Sequence, residues 1–165
     1  MPIDSRVSMI MTKDVVSVAP DTPVEEVARL MWEHNLSTLP VIEDGLLAGI
    51  LTDFDLVARE TEYDAPMFIP FLDSYFQLPG SGDSREQLRR ILATTARELM
   101  TSAVVTVNST DTVQDVATVM YDQHLNAVPV VDAANKMVGI VSRADIIRLM
   151  VSDETNYELT HPETD

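Results

Sequence analysis

Residues 11–55 return, almost in register, as residues 100–145. Met11-Thr12-Lys13-Asp14-Val15-Val16-Ser17-Val18 aligns with Met100-Thr101-Ser102-Ala103-Val104-Val105-Thr106-Val107. The alignment runs without a gap through Val24/Val113, Val27/Val116, Ala28/Ala117, Met31/Met120, Leu36/Leu125, Pro40/Pro129 and Val41/Val130. One extra residue then enters the second copy near Ala133-Ala134-Asn135, after which Gly49-Ile50 pairs with Gly139-Ile140 and Asp55 with Asp145. A duplicated half leaves one apolar face uncovered on its own, so two such halves are expected to pack about a pseudo-twofold axis.

Each copy reads as strand, helix, strand, strand, helix. The β-branched runs Val15-Val16-Ser17-Val18 and Val104-Val105-Thr106-Val107 suggest a first strand. Pro20-Asp21-Thr22-Pro23 and Asn108-Ser109-Thr110-Asp111 then offer turns able to cap a helix. Val24, Val27, Ala28, Leu30 and Met31, like Val113, Val116, Ala117, Val119 and Met120, fall at helical spacing. Leu39-Pro40-Val41-Ile42 and Val128-Pro129-Val130-Val131 give a second strand; Leu47-Ala48-Gly49-Ile50-Leu51 and Met137-Val138-Gly139-Ile140-Val141 give a third. Thr52 and Ser142 can cap the helices that hold Asp55 and Asp145. The fold class is therefore α/β, of the α+β type.

The sequence Gly49-Ile50-Leu51-Thr52-Asp53-Phe54-Asp55, with its counterpart Gly139-Ile140-Val141-Ser142-Arg143-Ala144-Asp145, resembles the closing signature of the CBS motif. Met-Thr, the helix start and the Pro-Val strand match in the same register. The resemblance covers roughly residues 7–58 and 96–150. It implies a stand-alone tandem CBS pair (a Bateman module) whose cleft between the paired motifs holds AMP, ADP or ATP as a regulatory ligand. In other members the ligand is S-adenosylmethionine, an NAD-type nucleotide or cyclic di-AMP. The family's contacts carry over to Thr12, Ser37, Thr101 and Asn126 for base and phosphate, and to Val16, Ile50, Val105 and Ile140 as apolar walls. Asp55 and Asp145 would accept hydrogen bonds from a ribose diol, since a carboxylate offers paired acceptors. Thr52 and Ser142, at helix N-termini, suit phosphate oxygens. Plainer roles stand beside these: helix caps for the hydroxyls, core for the apolar residues, a cap or salt bridge for the aspartates. The copies also differ. Arg143 occupies a place that is often basic in the family and reaches phosphate, whereas Asp53 there would repel it, so the second-motif site is expected to suit a phosphorylated ligand better.

With Lys and Arg numbering 11 against 27 Asp and Glu, the formal net charge is −16. Such a surface repels nucleic acid and anionic lipid, so neither is an expected partner, and an anionic ligand must find a locally positive or dipole-lined pocket. There is no cysteine, which excludes disulfides and thiolate metal sites and accords with a reducing cytoplasm. Met1-Pro2-Ile3-Asp4-Ser5-Arg6 does not read as a leader peptide, and apolar stretches are strand-sized. His34, His124 and His161 lack metal-ligand spacing; no nucleophile–base pair or phosphate-binding Gly-rich loop is present, so neither metal, catalytic cofactor nor enzyme activity is expected. His124 retains a possible phosphate contact near the cleft.

Residues 59–95 separate the copies and hold five of the aromatics, Tyr63, Phe68, Phe71, Tyr75 and Phe76. A flexible linker would be Gly/Ser-rich, so these are expected either to pack over the chain's own core or to face a partner or dimer surface. A helix is expected after Ser84, with Gln87 completing a capping box and Leu88, Ile91, Leu92 and Leu99 on one face. The acidic tail, residues 151–165, shows no apolar periodicity and is expected to fray. The two functional readings are a non-catalytic nucleotide sensor, homodimeric and acting on another chain, and a structural or dimerisation adaptor without ligand.

Overall fold

The computed structural model describes residues 5–61, 68–71, 74–77 and 84–160, with side chains over 5–61 and 87–152. The first copy forms α1 (Val7–Ile10), α2 (Val24–Glu33), β1 (Thr38–Glu43), β2 (Leu46–Thr52) and α3 (Asp53–Arg59). The segment between copies contains β3 (Phe68–Phe71), β4 (Ser74–Gln77) and α4 (Ser84–Leu92). The second copy follows as α5 (Ala96–Leu99), β5 (Val107–Asn108), α6 (Val113–Asp122), β6 (Ala127–Val131), β7 (Met137–Ser142) and α7 (Arg143–Thr160).

These elements form two bodies, and neither body is one copy. Residues 1–17, 42–48 and 103–165 make the Asp145 body; residues 18–41 and 49–102 make the Asp55 body. Each copy's leading segment is thus built into the body that holds the other copy's helices. In the Asp145 body, Val7 N–H donates to Asp111 C=O at 2.8 Å, Ser8 N–H to Ser109 C=O at 3.1 Å, and Val113 N–H to Ser5 C=O at 2.8 Å. The Asp55 body repeats all three bonds: Ala96 N–H to Thr22 C=O, Arg97 N–H to Pro20 C=O and Val24 N–H to Thr94 C=O, at 2.8, 2.8 and 3.0 Å.

The cores repeat as well. Val7, Val107, Val116, Met120, Val128, Val130 and Val141 cluster in the Asp145 body. Their counterparts Ala96, Val18, Val27, Met31, Leu39, Val41 and Leu51 are all buried in the Asp55 body. In β2 burial alternates, with Leu47, Gly49 and Leu51 inward, as a one-faced strand requires. Asp44 and Gly45, at φ 51° and 81°, connect β1 to β2 with the two left-handed residues of a tight hairpin. The extra residue of the second copy sits in a wider turn, where the Asp132 carboxylate accepts from Ala134 N–H and Lys136 N–H at 2.9 and 3.0 Å.

Several expectations need correction. The first strand is nearly absent: only Val18 reaches a ladder, paired parallel to Val41, and in the second copy only Val107 and Asn108 pair with β6. Just upstream, Thr12 and Thr101 pair with Ile140 and Ile50 inside their own bodies, and the chain passes from one body to the other before Val18 and Val107. Pro23, at the N-cap of α2, has no side-chain acceptor, and the helix relies on Glu25 and Glu26 beside its positive end. Thr112 caps α6, and its hydroxyl and N–H hold the Asp115 carboxyl below the usual range. In the segment between copies, where only a helix is expected, Phe68–Phe71 and Ser74–Gln77 also pair as antiparallel strands; a two-stranded ribbon tolerates Pro70 at its open edges. Whether the aromatics pack over the core or face a partner lies outside the described residues, as does Tyr63. Ser84 is the first helical residue rather than the cap, and Leu99 belongs to a separate helix. There the Thr94 and Thr95 amides donate to Glu98, holding its carboxyl low. The acidic tail is helical as far as Thr160, continuing α7.

Gly139 and Gly49 pass directly over the exchanged segments. A Cβ on Gly139 would lie 2.9 Å from the Thr12 carbonyl oxygen and 2.7 Å from Met11 Sδ, whereas on Gly49 it would meet the flexible end of Met100. Gly139→Ala is expected to destabilise by about 1–3 kcal/mol, and Gly49→Ala by less, because only the former forces backbone to move. Urea denaturation of the two variants checks this; equal losses would contradict it.

Candidate functional site

The loop from each third strand into the following helix is set by one hydrogen-bonded unit. In the Asp55 body, Thr52 N–H and Oγ1–H both donate to Asp55 Oδ2, at 2.9 and 2.8 Å, and Asp55 N–H returns to Thr52 Oγ1 at 3.3 Å. In the Asp145 body, Ser142 N–H and Oγ–H donate to Asp145 Oδ2 at 2.8 and 2.7 Å, with the return bond from Asp145 N–H again 3.3 Å. This is a reciprocal capping box, which accounts for the hydroxyl–x–x–aspartate spacing by helix-start physics alone. It does not account for the burial. Asp55 is 5% exposed and Asp145 7%, far less than a cap at the surface needs. Each aspartate keeps Oδ1 for a cation: Arg90 Nη1 lies 3.7 Å from that of Asp55, and Arg148 Nη1 lies 3.2 Å from that of Asp145.

Backbone bonds join several of the expected residues in pairs, equivalently in the two bodies. In the Asp145 body, Thr12 and Ile140 exchange two backbone bonds of 2.9 Å. Arg143 N–H donates to Asn126 C=O at 3.0 Å, and Arg143 Nε–H to Leu125 C=O at 2.8 Å, so the arginine is held beside Asn126 by both ends. In the Asp55 body, Ile50 and Thr101 exchange the equivalent bonds, at 3.0 and 2.9 Å, and Asp53 N–H donates to Ser37 C=O at 3.0 Å. Thr12 therefore joins the second copy's signature, and Thr101 the first copy's. Sequence order hides this exchange; the repeated Met-Thr ahead of each β-branched run is its sole mark in the sequence. Val16 and Val105 are half-buried and both fall in the Asp145 body.

His34 closes α2, and His124 follows α6 in the left-handed region at φ 55°. His124 and Arg143 border an open cavity of about 400 Å³ between α6 and α7, floored by Met120 and Ile146. Among the described residues no group of three His, Cys, Asp or Glu side chains is placed to hold a metal ion, and no helix is long and apolar enough to cross a membrane. Arg90 was not anticipated, because it comes from the segment between the copies and no repeat marks it.

Truncating Asp145 leaves the Ser142 N–H and hydroxyl without their acceptor in a part-buried place. Asp145→Ala is expected to lower stability by about 1–3 kcal/mol. Asp145→Asn, whose amide oxygen still accepts, should lose less. Urea midpoints of the two variants decide, and an alanine variant as stable as the parent would mean that the box contributes nothing.

The CBS domain family model matches residues 7–62 and 96–152. The CBS domain-containing protein YhcV of Bacillus subtilis is 29% identical over 151 residues, which cover 92% of this chain and 89% of that protein. The chloroplast protein CBSX2 of Arabidopsis thaliana is 29% identical over 150 residues, which span 84% of this chain and 60% of CBSX2. The crystal structure of CBSX2 in complex with AMP has a TM-score of 0.73 at 25% identity, covering 89% of this chain and 97% of that one. The CBS domain pair of MJ0100, in complex with 5′-methylthioadenosine and S-adenosyl-L-methionine, has a TM-score of 0.66 at 26% identity, covering 90% and 98%. With two matched motifs, the repeated capping box and the exchanged leading segments, the chain belongs to the CBS-domain family as a tandem CBS pair.

Proposed function

We propose that the chain is a non-catalytic regulatory module that binds an adenine nucleotide, AMP, ADP or ATP, through the signature residues of its CBS motifs. The observation that carries this reading is the burial of Asp55 and Asp145 at equivalent helix starts, each with Oδ2 occupied by its own cap. A ribose hydroxyl arriving at Oδ1 would find a carboxylate already oriented, and a charged hydrogen bond of this kind contributes about 1.5–3 kcal/mol. The ligands named for CBSX2 and MJ0100 support the same moiety, since AMP, 5′-methylthioadenosine and S-adenosyl-L-methionine share adenosine. Another adenosyl ligand, including S-adenosylmethionine or cyclic di-AMP, is the alternative within this reading.

The Asp145 body is the better home for a phosphorylated ligand. Arg143 is anchored beside Asn126 with its outer nitrogens available to a phosphate, and the start of α7 adds a positive dipole end. Asp53 stands at the matching place in the Asp55 body and opposes a phosphate. Thr12, Val16, Val105, Asn126, Ile140, Ser142, Arg143 and Asp145 are proposed for the first site, and Ser37, Ile50, Thr52, Asp55 and Thr101 for the second.

Added AMP, ADP or ATP is expected to raise the thermal midpoint, because a ligand of the native state stabilises by mass action. Asp145→Ala should weaken AMP binding by about tenfold to a hundredfold, and Asp55→Ala by less. No shift with any adenine nucleotide would favour the ligand-free adaptor. Unaltered binding by Asp145→Ala, beside a loss in Asp55→Ala, would reverse the ranking of the sites.

A homodimer is the proposed assembly. Trp32 in α2 is 87% exposed and Tyr121, its counterpart in α6, 80%; Val57 and Ile147 are likewise exposed at matching places in α3 and α7. An apolar pair displayed identically on both copies fits a partner with the same duplication, a second copy of this chain. Trp32→Glu with Tyr121→Glu is expected to convert a dimer to a monomer in sedimentation velocity. A parent that sediments as a monomer rules the assembly out.

A further inference from the structure

The two buried aspartates take their counter-charges from different places. Arg148 lies one turn along α7 from Asp145, is 73% exposed, and can leave for solvent without disturbing any backbone. The matching residue of the first copy is Ala58, and the arginine that α3 does carry, Arg59, lies 3.7 Å from Glu25. Arg90 supplies the charge instead, from α4 in the segment between the copies, with its side chain only 24% exposed. A carboxylate as buried as Asp55 requires a nearby cation or a hydrogen-bond donor at its second oxygen. Only Oδ1 remains, because Oδ2 already accepts two bonds from Thr52.

Resting on the adenosine-binding reading above, we propose that Arg90 is the counter-charge a ribose must displace at Asp55, so that occupancy of the Asp55 body is reported by the seating of α4. The arginine and the diol compete for one oxygen atom. At 3.7 Å the ion pair is long enough to be exchanged for a shorter hydrogen bond to a hydroxyl. Displacement then removes one of the bonds that seat α4 on this body, alongside Gln87 Nε2–H to Thr61 Oγ1 at 3.4 Å and Arg89 to the Glu98 carbonyl. The Asp145 body has no such coupling, since Arg148 belongs to the same helix as the carboxylate it faces. Arg90 is thus a positioning residue whose release carries the signal, while Asp55 is the group that touches the ligand.

Adenosine is the appropriate probe, because it presents diol and base without phosphate charge. It is titrated into the full chain in an Asp145→Ala background, with Arg90 unchanged, Arg90→Ala or Arg90→Lys, and amide hydrogen exchange is followed over residues 84–92. Arg90→Ala is expected to bind adenosine about threefold to tenfold more tightly, the scale of one partly exposed ion pair removed from competition, and Arg90→Lys to stay near the background value. Saturating adenosine should accelerate exchange in α4 when Arg90 is present. In Arg90→Ala the exchange should be fast already and indifferent to ligand. Equal affinities in all three, weaker binding by Arg90→Ala, or ligand-independent α4 exchange with Arg90 present would overturn the coupling alone. Absence of adenosine and AMP binding in the parent as well as in every variant would overturn the nucleotide reading together with it.

Discussion

Four backbone hydrogen bonds hold this architecture in its register: the pairs that Thr12 exchanges with Ile140, and Thr101 with Ile50. Each couple clips the leading segment of one copy to the third strand of the other. Because the bonds are reciprocal, the clipped residue is fixed in both position and direction, and the strand–helix corner begins only two residues further along. The glycine before each clipped isoleucine is a requirement of the same geometry, since Met11, Thr12 or Met100 occupies the space where a side chain would stand. Displacing the clip would therefore move the threonine, the hydroxyl cap and the aspartate together.

The corner itself combines two demands. A helix starting at the end of a strand exposes amides that need acceptors, and the aspartate three residues on supplies one. The same carboxylate is buried, and burial makes an unsatisfied oxygen costly. Meeting the first demand uses Oδ2 and leaves Oδ1 with a cation in reach, in both bodies. On the proposed adenosine-binding reading, the structural cap would orient the side chain before any ligand arrives, so little conformational freedom would remain to be lost on binding.

Much of this was legible in the amino-acid order. Val24, Val27 and Met31 gave the helix face, Leu47, Gly49 and Leu51 the strand face, and the hydroxyl–x–x–aspartate spacing located both corners. The failures share a cause. Val15–Val18 has strand chemistry, yet a strand needs a partner along its length, and the chain leaves one body for the other at Ser17–Val18. Periodicity describes a segment's own faces and carries no information about which copy supplies its neighbour. Arg90 was invisible for a related reason, since it lies outside the repeat and has no counterpart to mark it, and the same holds for the paired strands Phe68–Phe71 and Ser74–Gln77. The helical run to Thr160 shows an acidic stretch continuing a helix begun by its apolar predecessors.

The exchange of leading segments has a consequence for how such a chain can arise or be divided. A fragment ending after α3 contains Thr12 but not Ile140, and Ile50 but not Thr101, so both of its clips are open and Val7 has lost the pocket that buries it. Cutting between the copies thus yields two incomplete halves rather than two small proteins. A single-copy ancestor would have closed its core only by trading N-terminal arms with a twin, and fusing two genes would have turned that intermolecular trade into the crossover now written into one polypeptide.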